Sequence, residues 1–191
     1  MTTFILHGGY TGERNELNRG FFQEMVERCP EGGTILAVYF AREDEVCDQL
    51  FSEDLVRIGE AAQGKRLDTV PANKQEFVSQ LESADVVYIR GGNTERLQKT
   101  LKKYAAFASL VKGKTVAGSS AGAYVLSAYY YSSSSAGVFK GFGFLPIRLV
   151  CHHESIRFPR NGDPIAALEE TDKELELVVL RDFEWRVFER P

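Results

Sequence analysis

Residues 115–128 read TVAGSSAGAYVLSA. Its first residues are apolar and β-branched, as in a buried strand, whereas residues 121–128 are compatible with a helix. Between them, the small residues of Gly118-Ser119-Ser120-Ala121-Gly122 allow a steep turn that exposes Ser120 at the helix N-terminus. The pattern predicts a serine nucleophile at position 120. The alternative is a tight strand-to-helix junction without a chemical role.

Further strand candidates alternate with amphipathic helices along the chain. The strand candidates are short and rich in β-branched or aromatic residues, at 3–7, 34–40, 85–89, 115–118, 147–150 and 175–180. Apolar residues at helical spacing lie between them, at Leu17, Phe21, Phe22, Met25 and Val26, at Leu50, Phe51, Leu55 and Ile58, and at Phe77, Leu81, Leu97 and Leu101. The alternation predicts an α/β fold in one domain, residues 1–191, with a mostly parallel sheet covered by helices on both faces.

Composition and charge restrict the expected partners. The 191 residues are 43% hydrophobic and carry a formal net charge of -4, without a Lys/Arg run. Nucleic acids and anionic membranes are bound by concentrated positive surfaces, so neither is an expected partner. We expect a small partner molecule and a monomer or homodimer.

The cysteines and the apolar runs indicate the compartment. Cys29, Cys47 and Cys151 are an odd number without metal-ligand spacing, so we expect reduced thiols, no metal and no other cofactor. The first residues lack the features of a signal peptide, and no run approaches the roughly 18 apolar residues of a membrane span. The expected location is the cytoplasm.

A serine nucleophile needs a base beside it, and the chain has three histidines. His152 and His153 are adjacent at the end of a predicted strand, where successive side chains point to opposite faces. Only one of them is therefore expected to face Ser120. His7, which precedes two glycines, is interpreted as a strand-end residue.

A carboxylate must orient that histidine, and two are candidates. Glu154 lies two residues beyond His152, and Asp182 follows the apolar run 178–180. A triad that uses Asp182 has the chain order Ser, His, Asp, which differs from the order Ser, acid, His of α/β-hydrolases. From the residues alone, both carboxylates stay open.

A second glycine-containing loop, Arg90-Gly91-Gly92-Asn93-Thr94, follows the strand candidate 85–89. It is either a plain strand-turn-helix joint or a functional loop. In the functional interpretation, the Gly92 N–H supplies one oxyanion donor and the Ala121 N–H supplies the other.

Together these segments resemble the dipeptidase E (aspartyl dipeptidase) family of serine peptidases, which also contains cyanophycinase. Residues 91–94 match its Gly-Gly-Asn-Thr loop and residues 118–123 match its Gly-x-Ser-Ala-Gly-Ala elbow. Its histidine stands in a Pro-His-aromatic string after a Leu-Pro segment, and here Leu145-Pro146 precedes Val150-Cys151-His152-His153, a match that selects His152 over His153. Residues 180–185 are similar to its Leu-x-Glu-Gly-x-Trp string. The resemblance spans most of the chain.

The resemblance implies a flavodoxin-like three-layer α/β/α fold, similar to class I glutamine amidotransferases. It implies that Ser120 is the nucleophile, His152 the general base and Asp182 the orienting acid, with oxyanion donors at Gly92 and Ala121. It also implies hydrolysis of short peptides, with a preference for an N-terminal aspartate as in the dipeptidase. The alternatives are a non-catalytic ligand-binding relative, or an esterase or amidohydrolase with the same site.

Four further residues are candidates for substrate binding: Gly91, Asn93, Arg157 and Arg160. The two arginines follow His152 and carry the charge that an acidic substrate side chain needs. The sequence also departs from the family pattern. Asp182 is one methylene shorter than the family's glutamate, so it reaches His152 only across a closer approach or a bridging water. Arg90 stands where the dipeptidase has another glycine.

Overall fold

The computed structural model describes residues 1–133, 135–158 and 162–191. Its strands are β1 (Thr2–His7), β2 (Gly33–Val38), β3 (Leu67–Pro71), β4 (Val86–Ile89), β5 (Thr115–Ser119), β6 (Ser127–Ser132), β7 (Gly137–Lys140), β8 (Leu145–His153), β9 (Glu176–Arg181) and β10 (Trp185–Arg190). Its helices are α1 (Glu16–Glu27), α2 (Asp44–Ala62), α3 (Phe77–Ser83), α4 (Thr94–Leu101), α5 (Phe107–Leu110), α6 (Ala121–Leu126) and α7 (Pro164–Glu169).

A six-stranded sheet with the order β10-β1-β5-β4-β2-β3 forms the centre of the fold. Five of these strands, β1, β5, β4, β2 and β3, are parallel to one another. The sixth, β10, pairs with β1 in the antiparallel sense. Helices cover both faces of the sheet. The predicted α/β/α architecture with a mostly parallel sheet is confirmed.

Alternate side chains of the central strands enter two separate cores. Ile5 of β1 packs with Phe21 of α1 and Ile58 of α2, whereas the next residue, Leu6, packs with Leu97 of α4 on the opposite face. Burying side chains of this size contributes roughly 2 kcal/mol each. Because both faces are covered, the strands consist of continuous apolar runs rather than alternating ones.

A second sheet, with the order β7-β6-β8-β9, packs against α6. The sequence predicts β8 and β9 as strands but does not predict that they form a sheet of their own. Helix α6 ends at Leu126 rather than at residue 128, because Ser127 already pairs with Leu145 of β8. Tyr130 of β6 stacks on Tyr124 of α6, with ring centroids 4.9 Å apart. This contact joins the second sheet to the helix.

The carboxyl ends of the parallel strands meet at one edge of the central sheet. There β1 ends at His7, β4 at Ile89 and β5 at Ser119. The pairing of His7 with Trp185 brings the turn between β9 and β10 to the same edge. Open α/β sheets bind ligands outside the carboxyl ends of their strands. The topology therefore makes this edge of the sheet the expected place for a functional site.

Candidate active site

Ser120 lies on a strained turn between β5 and α6. Its φ of 50° and ψ of -108° lie outside the regions that residues with a side chain usually occupy. Glycine is needed nearby, because a Cβ on Gly122 would lie 2.1 Å from the carbonyl oxygen of Ile89. The Ser120 N–H donates to the His7 carbonyl at 2.9 Å. The turn thus has the steep geometry that the pattern around position 120 predicts, with Ser120 half-buried.

The His152 side chain faces this serine. Its Nε2 lies 2.9 Å from Ser120 Oγ, within hydrogen-bonding distance. The register of β8 against β9 shifts between Val150 and His153, and His152 itself has a φ of 56°. An irregularity of this kind redirects a side chain that a regular strand would point elsewhere. Of the two adjacent histidines, His152 is the one that contacts the serine.

The second ring nitrogen of His152 contacts Asp182. The distance from Nδ1 to Asp182 Oδ1 is 2.7 Å, a direct contact without a bridging water. Glu154, the other candidate acid, instead lies against Arg181, with its Oε2 2.7 Å from a guanidinium nitrogen. The geometry therefore pairs Asp182, and not Glu154, with the imidazole.

Two aromatic rings that no sequence pattern indicates enclose His152. Tyr10 meets the imidazole edge-on, with centroids 4.9 Å apart, and Phe158 stacks on it at 4.9 Å with a 22° interplanar angle. The His152 side chain is consequently only 8% exposed. Neither aromatic residue belongs to a recognisable motif. For Tyr10, the only signal is its position directly after Gly8-Gly9 at the end of β1.

Of the two predicted oxyanion donors, Ala121 directly follows the serine, and Gly92 follows Gly91, where a Cβ would lie 3.0 Å from Ser120 Cβ. Ala121 is the first residue of α6, where backbone N–H groups have no intrahelical acceptor. Gly92 has a φ of 158°, and a Cβ there would lie 2.5 Å from the Ala41 carbonyl oxygen. The preceding carbonyl, of Gly91, accepts a hydrogen bond from Arg42 Nε at 2.5 Å. The loop that carries Gly92 is therefore held closely against the end of β2.

Two clefts border the Ser120–His152 pair. The first has a volume of about 410 Å³. Its lining includes Tyr10, Glu13, Arg42, Arg90 and Gly91. The second has a volume of about 300 Å³ and includes Asn93, Glu95, Tyr124, Tyr130 and Phe139. Gly92, Ser120, His152 and Phe158 line both, so the two clefts meet at the serine.

The predicted substrate-binding residues have different surroundings. Gly91 lines the first cleft, and Asn93 lines the second while its side chain caps α4 by accepting from the Arg96 N–H. Arg157 is ion-paired with Glu13 and lies over the Tyr10 ring, 5.6 Å from its centroid. It thus adjoins the first cleft through two of its lining residues. Arg160 lies outside the described residues.

Arg90 lines the first cleft and belongs to a buried polar network. Its guanidinium lies 2.9 Å from Asp54 Oδ2, which also accepts from the Tyr39 hydroxyl at 3.0 Å. Burial raises the pKa of Asp54 to about 6, so the carboxylate is charged at neutral pH. The dipeptidase that the sequence resembles has glycine at position 90. No sequence pattern indicates that the charge of Arg90 is balanced by a carboxylate in α2.

The described residues, 1–133, 135–158 and 162–191, contain no group of three or more His, Cys, Asp or Glu side chains that could hold a metal ion. In the same parts of the chain, no helix has both the length and the apolar character needed to cross a membrane. Cys29 and Cys151 are buried, Cys47 is half-buried, and the Cys151 thiol lies 3.9 Å from the His7 carbonyl oxygen.

Known proteins resemble this fold. A peptidase from an acI-B1 actinobacterium has a TM-score of 0.72 at 18% identity, over 98% of this chain and 83% of that one. A putative peptidase E protein from Listeria monocytogenes EGD-e has a TM-score of 0.68 at 17% identity, over 98% and 97%. No curated protein matches the sequence. The model of peptidase family S51 matches residues 8–189, a range that includes Ser120, His152 and Asp182. The chain therefore belongs to peptidase family S51, the dipeptidase E family of serine-type peptidases.

Proposed function

We propose that this peptidase hydrolyses short peptides with Ser120 as nucleophile, His152 as general base and Asp182 as orienting acid. The observation that carries the proposal is the continuous contact from Ser120 Oγ through both ring nitrogens of His152 to Asp182, at 2.9 and 2.7 Å. Contacts of this length allow proton transfer from the serine while the carboxylate stabilises the imidazolium that forms.

The proposed reaction proceeds in two halves. Ser120 Oγ attacks the scissile carbonyl as its proton passes to His152 Nε2, and the N–H groups of Gly92 and Ala121 stabilise the resulting oxyanion. The protonated His152 then donates this proton to the leaving amine, which leaves an acyl group on Ser120. Water, deprotonated by His152, attacks the acyl group and releases the second product. No metal or cofactor takes part in these steps.

The size of the clefts supports a short peptide as substrate. Volumes of about 410 and 300 Å³ are at the lower end of the range for pockets that hold small organic ligands. Because the clefts meet at Ser120, a peptide bond over the serine would have one or two residues on each side. Gly91 lines the first cleft, and Asn93 lines the second.

The charge of the first cleft supports a preference for an acidic residue, such as an N-terminal aspartate. Arg42 and Arg90 line this cleft together with one carboxylate, Glu13, which is ion-paired with the adjoining Arg157. Two carboxylates, Asp54 and Glu53, already lie against Arg90. Arg42 donates its Nε to the Gly91 carbonyl and is the cation best placed to meet a substrate carboxylate.

Labelling with a fluorophosphonate probe tests the serine chemistry. We expect the wild-type protein to react and the S120A variant to be inert. The matched control is S119A, which removes the neighbouring buried hydroxyl and should leave labelling intact. Equal labelling of wild type and S120A would contradict the proposal. A folded wild-type protein inert to the probe and to peptides would indicate a ligand-binding relative.

A matched set of substrates tests the specificity. Dipeptides that begin with aspartate should exceed their asparagine counterparts in kcat/KM by about 10- to 100-fold, the value of one hydrogen bond to a charged group. Equal rates would contradict the acidic preference without affecting the serine mechanism. Faster turnover of nitrophenyl esters, with no cleavage of peptide amides, would instead identify an esterase with the same triad.

A further inference from the structure

Three consecutive backbone carbonyls at the end of β1 each hold one part of the proposed triad. The His7 carbonyl accepts from the Ser120 N–H at 2.9 Å, and the Gly8 carbonyl accepts from the His152 N–H at 3.1 Å. The Gly9 carbonyl accepts from the N–H of Phe183, the residue after Asp182, at 3.2 Å. The relative positions of nucleophile, base and acid therefore depend on the backbone of residues 7–9.

Residues 8 and 9 have little means of fixing this backbone themselves. A Cβ on Gly8 would lie 1.9 Å from the Arg181 carbonyl oxygen, and one on Gly9 would lie 2.0 Å from Cε1 of His152. The close approach to both segments requires glycine, and Gly9 has a φ of 132°. Glycine also permits many other backbone conformations, so some other group must select this one.

The imidazole of His7 supplies that restraint. Its Nδ1 accepts the Gly9 N–H at 2.9 Å, and its Nε2 lies 2.8 Å from Asn18 Oδ1. The ring is fully buried and meets the Phe21 ring edge-on at 4.6 Å. The side chain of His7 thus ties the second glycine back onto β1 and anchors both to α1.

Asn18 determines which tautomer His7 adopts. The Asn18 amide nitrogen donates to the carbonyls of Tyr10 and Glu13, at 2.9 and 2.7 Å, so its oxygen is left to accept. His7 Nε2 must then carry the hydrogen, and Nδ1 is free to accept from Gly9. Burial, the largest influence, lowers the pKa of His7 to about 4, so the ring is neutral at physiological pH. The charged or titratable groups that influence it are His152 and Asp182.

We propose that His7 is a positioning residue of this peptidase: by accepting the Gly9 N–H at Nδ1, it fixes the three carbonyls that align Ser120, His152 and Asp182. The inference rests on the proposed function for its effect on catalysis. His7 itself touches neither the scissile bond nor the serine hydroxyl, and it acts through the backbone of residues 7–9. Asn18 assists by holding the required tautomer.

Two substitutions distinguish the roles of the two ring nitrogens of His7. H7N retains an acceptor near the position of Nδ1, whereas H7Q retains a donor near Nε2 and loses the acceptor. We expect H7Q to lose about 10- to 100-fold in kcat with KM changed less than about threefold, as for a small misplacement of reacting groups. H7N should recover activity to within about fivefold of wild type. H153Q is the matched control, and it should label and turn over like wild type.

Fluorophosphonate labelling rates of the folded variants, checked by circular dichroism, give the first readout. Wild-type rates for folded H7Q would overturn the inference. Nitrogen-15 NMR of the His7 imidazole in the wild-type protein gives the second readout. It tests the contact between His7 and Gly9 even if H7Q does not fold. We expect an unprotonated Nδ1 and a protonated Nε2 on His7, and a protonated Nδ1 would overturn the inference. If wild type fails to label, the proposed function is contradicted, whereas the NMR result still decides whether His7 holds Gly9.

Discussion

Asp182 Oδ1 lies 2.7 Å from His152 Nδ1, although an aspartate is one methylene shorter than the glutamate of the family pattern. The backbone makes up the difference. Arg181, the residue before Asp182, approaches Gly8 so closely that a Cβ on that glycine would lie 1.9 Å from the Arg181 carbonyl oxygen. The Gly8 N–H also donates to the Glu184 carbonyl at 2.8 Å. The shorter carboxylate thus accompanies a turn that packs directly on β1.

Replacement of Asp182 by asparagine should remove most of the activity. The amide N–H of asparagine would donate to Nδ1 of His152 and thereby favour the tautomer that cannot accept the proton of Ser120. We expect kcat to fall by about 1,000- to 10,000-fold with little change in KM, measured with a cleavable dipeptide.

The control for this substitution is E154Q, which neutralises the alternative acid. Because Glu154 lies against Arg181 and is 59% exposed, E154Q should retain kcat to within about threefold. A larger loss for E154Q than for D182N would show that the acid is assigned to the wrong residue.

The sequence predicts the parts of the site that depend on local backbone demands. Gly118 and Gly122 around Ser120 indicate the turn without any homologue, because only small residues permit it. The choice of His152 over His153 comes from the family pattern. Strand alternation states only that one of the two faces the serine, and the irregular register of β8 is a tertiary feature that no local pattern records.

Residues that act through tertiary contacts were beyond sequence reasoning. His7 is predicted only as a strand end, since its partner Asn18 lies on the following helix and the contact depends on how α1 packs. Arg42, Tyr10 and Phe158 join the site through loops of unrelated sequence.

The fold is predicted best where strands are buried on both faces. The central strands β1, β2, β4 and β5 appear as apolar runs because helices cover the sheet on two sides. Edge strand β3 (Leu67–Pro71) contains Asp68 and a terminal proline and is only partly buried, so its apolar signal is weak. The sequence does not predict the second sheet, because its strands could equally have been added to the edge of the central sheet.

Introduction of a methyl group at Gly9 should disrupt the site. The G9A variant would place Cβ 2.0 Å from the His152 ring at a φ of 132°, which a residue with a side chain rarely adopts. The imidazole must then move, so we expect labelling by the fluorophosphonate probe to slow by about 100-fold or more.

The matched control is the same substitution at Gly59 in α2. A Cβ there meets nothing within 4 Å, so G59A should raise the free energy of unfolding by about 0.5–1 kcal/mol and leave labelling unchanged. Equal labelling rates for G9A and wild type would mean that the ring does not pack on Gly9 in solution.

The buried pair of Arg90 and Asp54 should be strongly coupled. Asp54 is fully buried, and its Oδ1 has no hydrogen-bond partner among the described residues. R90M would leave this carboxylate without its cation, so we expect urea unfolding to show a loss of about 3–5 kcal/mol. The double variant D54N/R90M removes the unpaired charge as well and should recover part of that loss. Additive effects of D54N and R90M would contradict the coupling.

The pH dependence of stability should reveal His7 when wild type is compared with H7Q. The pKa of His7 is lowered from 6.5 to about 4 in the native protein, so between these values the unfolded chain binds a proton that the native protein does not. The contribution of His7 to the free energy of unfolding therefore falls on acidification by about 1.4 kcal/mol per pH unit through this window. Asp54 has the opposite effect, because its pKa is raised from 3.8 to about 6 and the native protein then binds the extra proton.

These two contributions oppose each other over most of the same range, so the wild-type profile alone does not isolate either. H7Q removes the contribution of His7 and retains that of Asp54. The stability of wild type relative to H7Q should consequently decline by roughly 3 kcal/mol between about pH 7 and about pH 4, measured by urea unfolding at each pH. A difference that stays constant over this range would mean that His7 is not buried in its neutral form. That result would also contradict the neutral tautomer of His7 on which the contact with Gly9 depends.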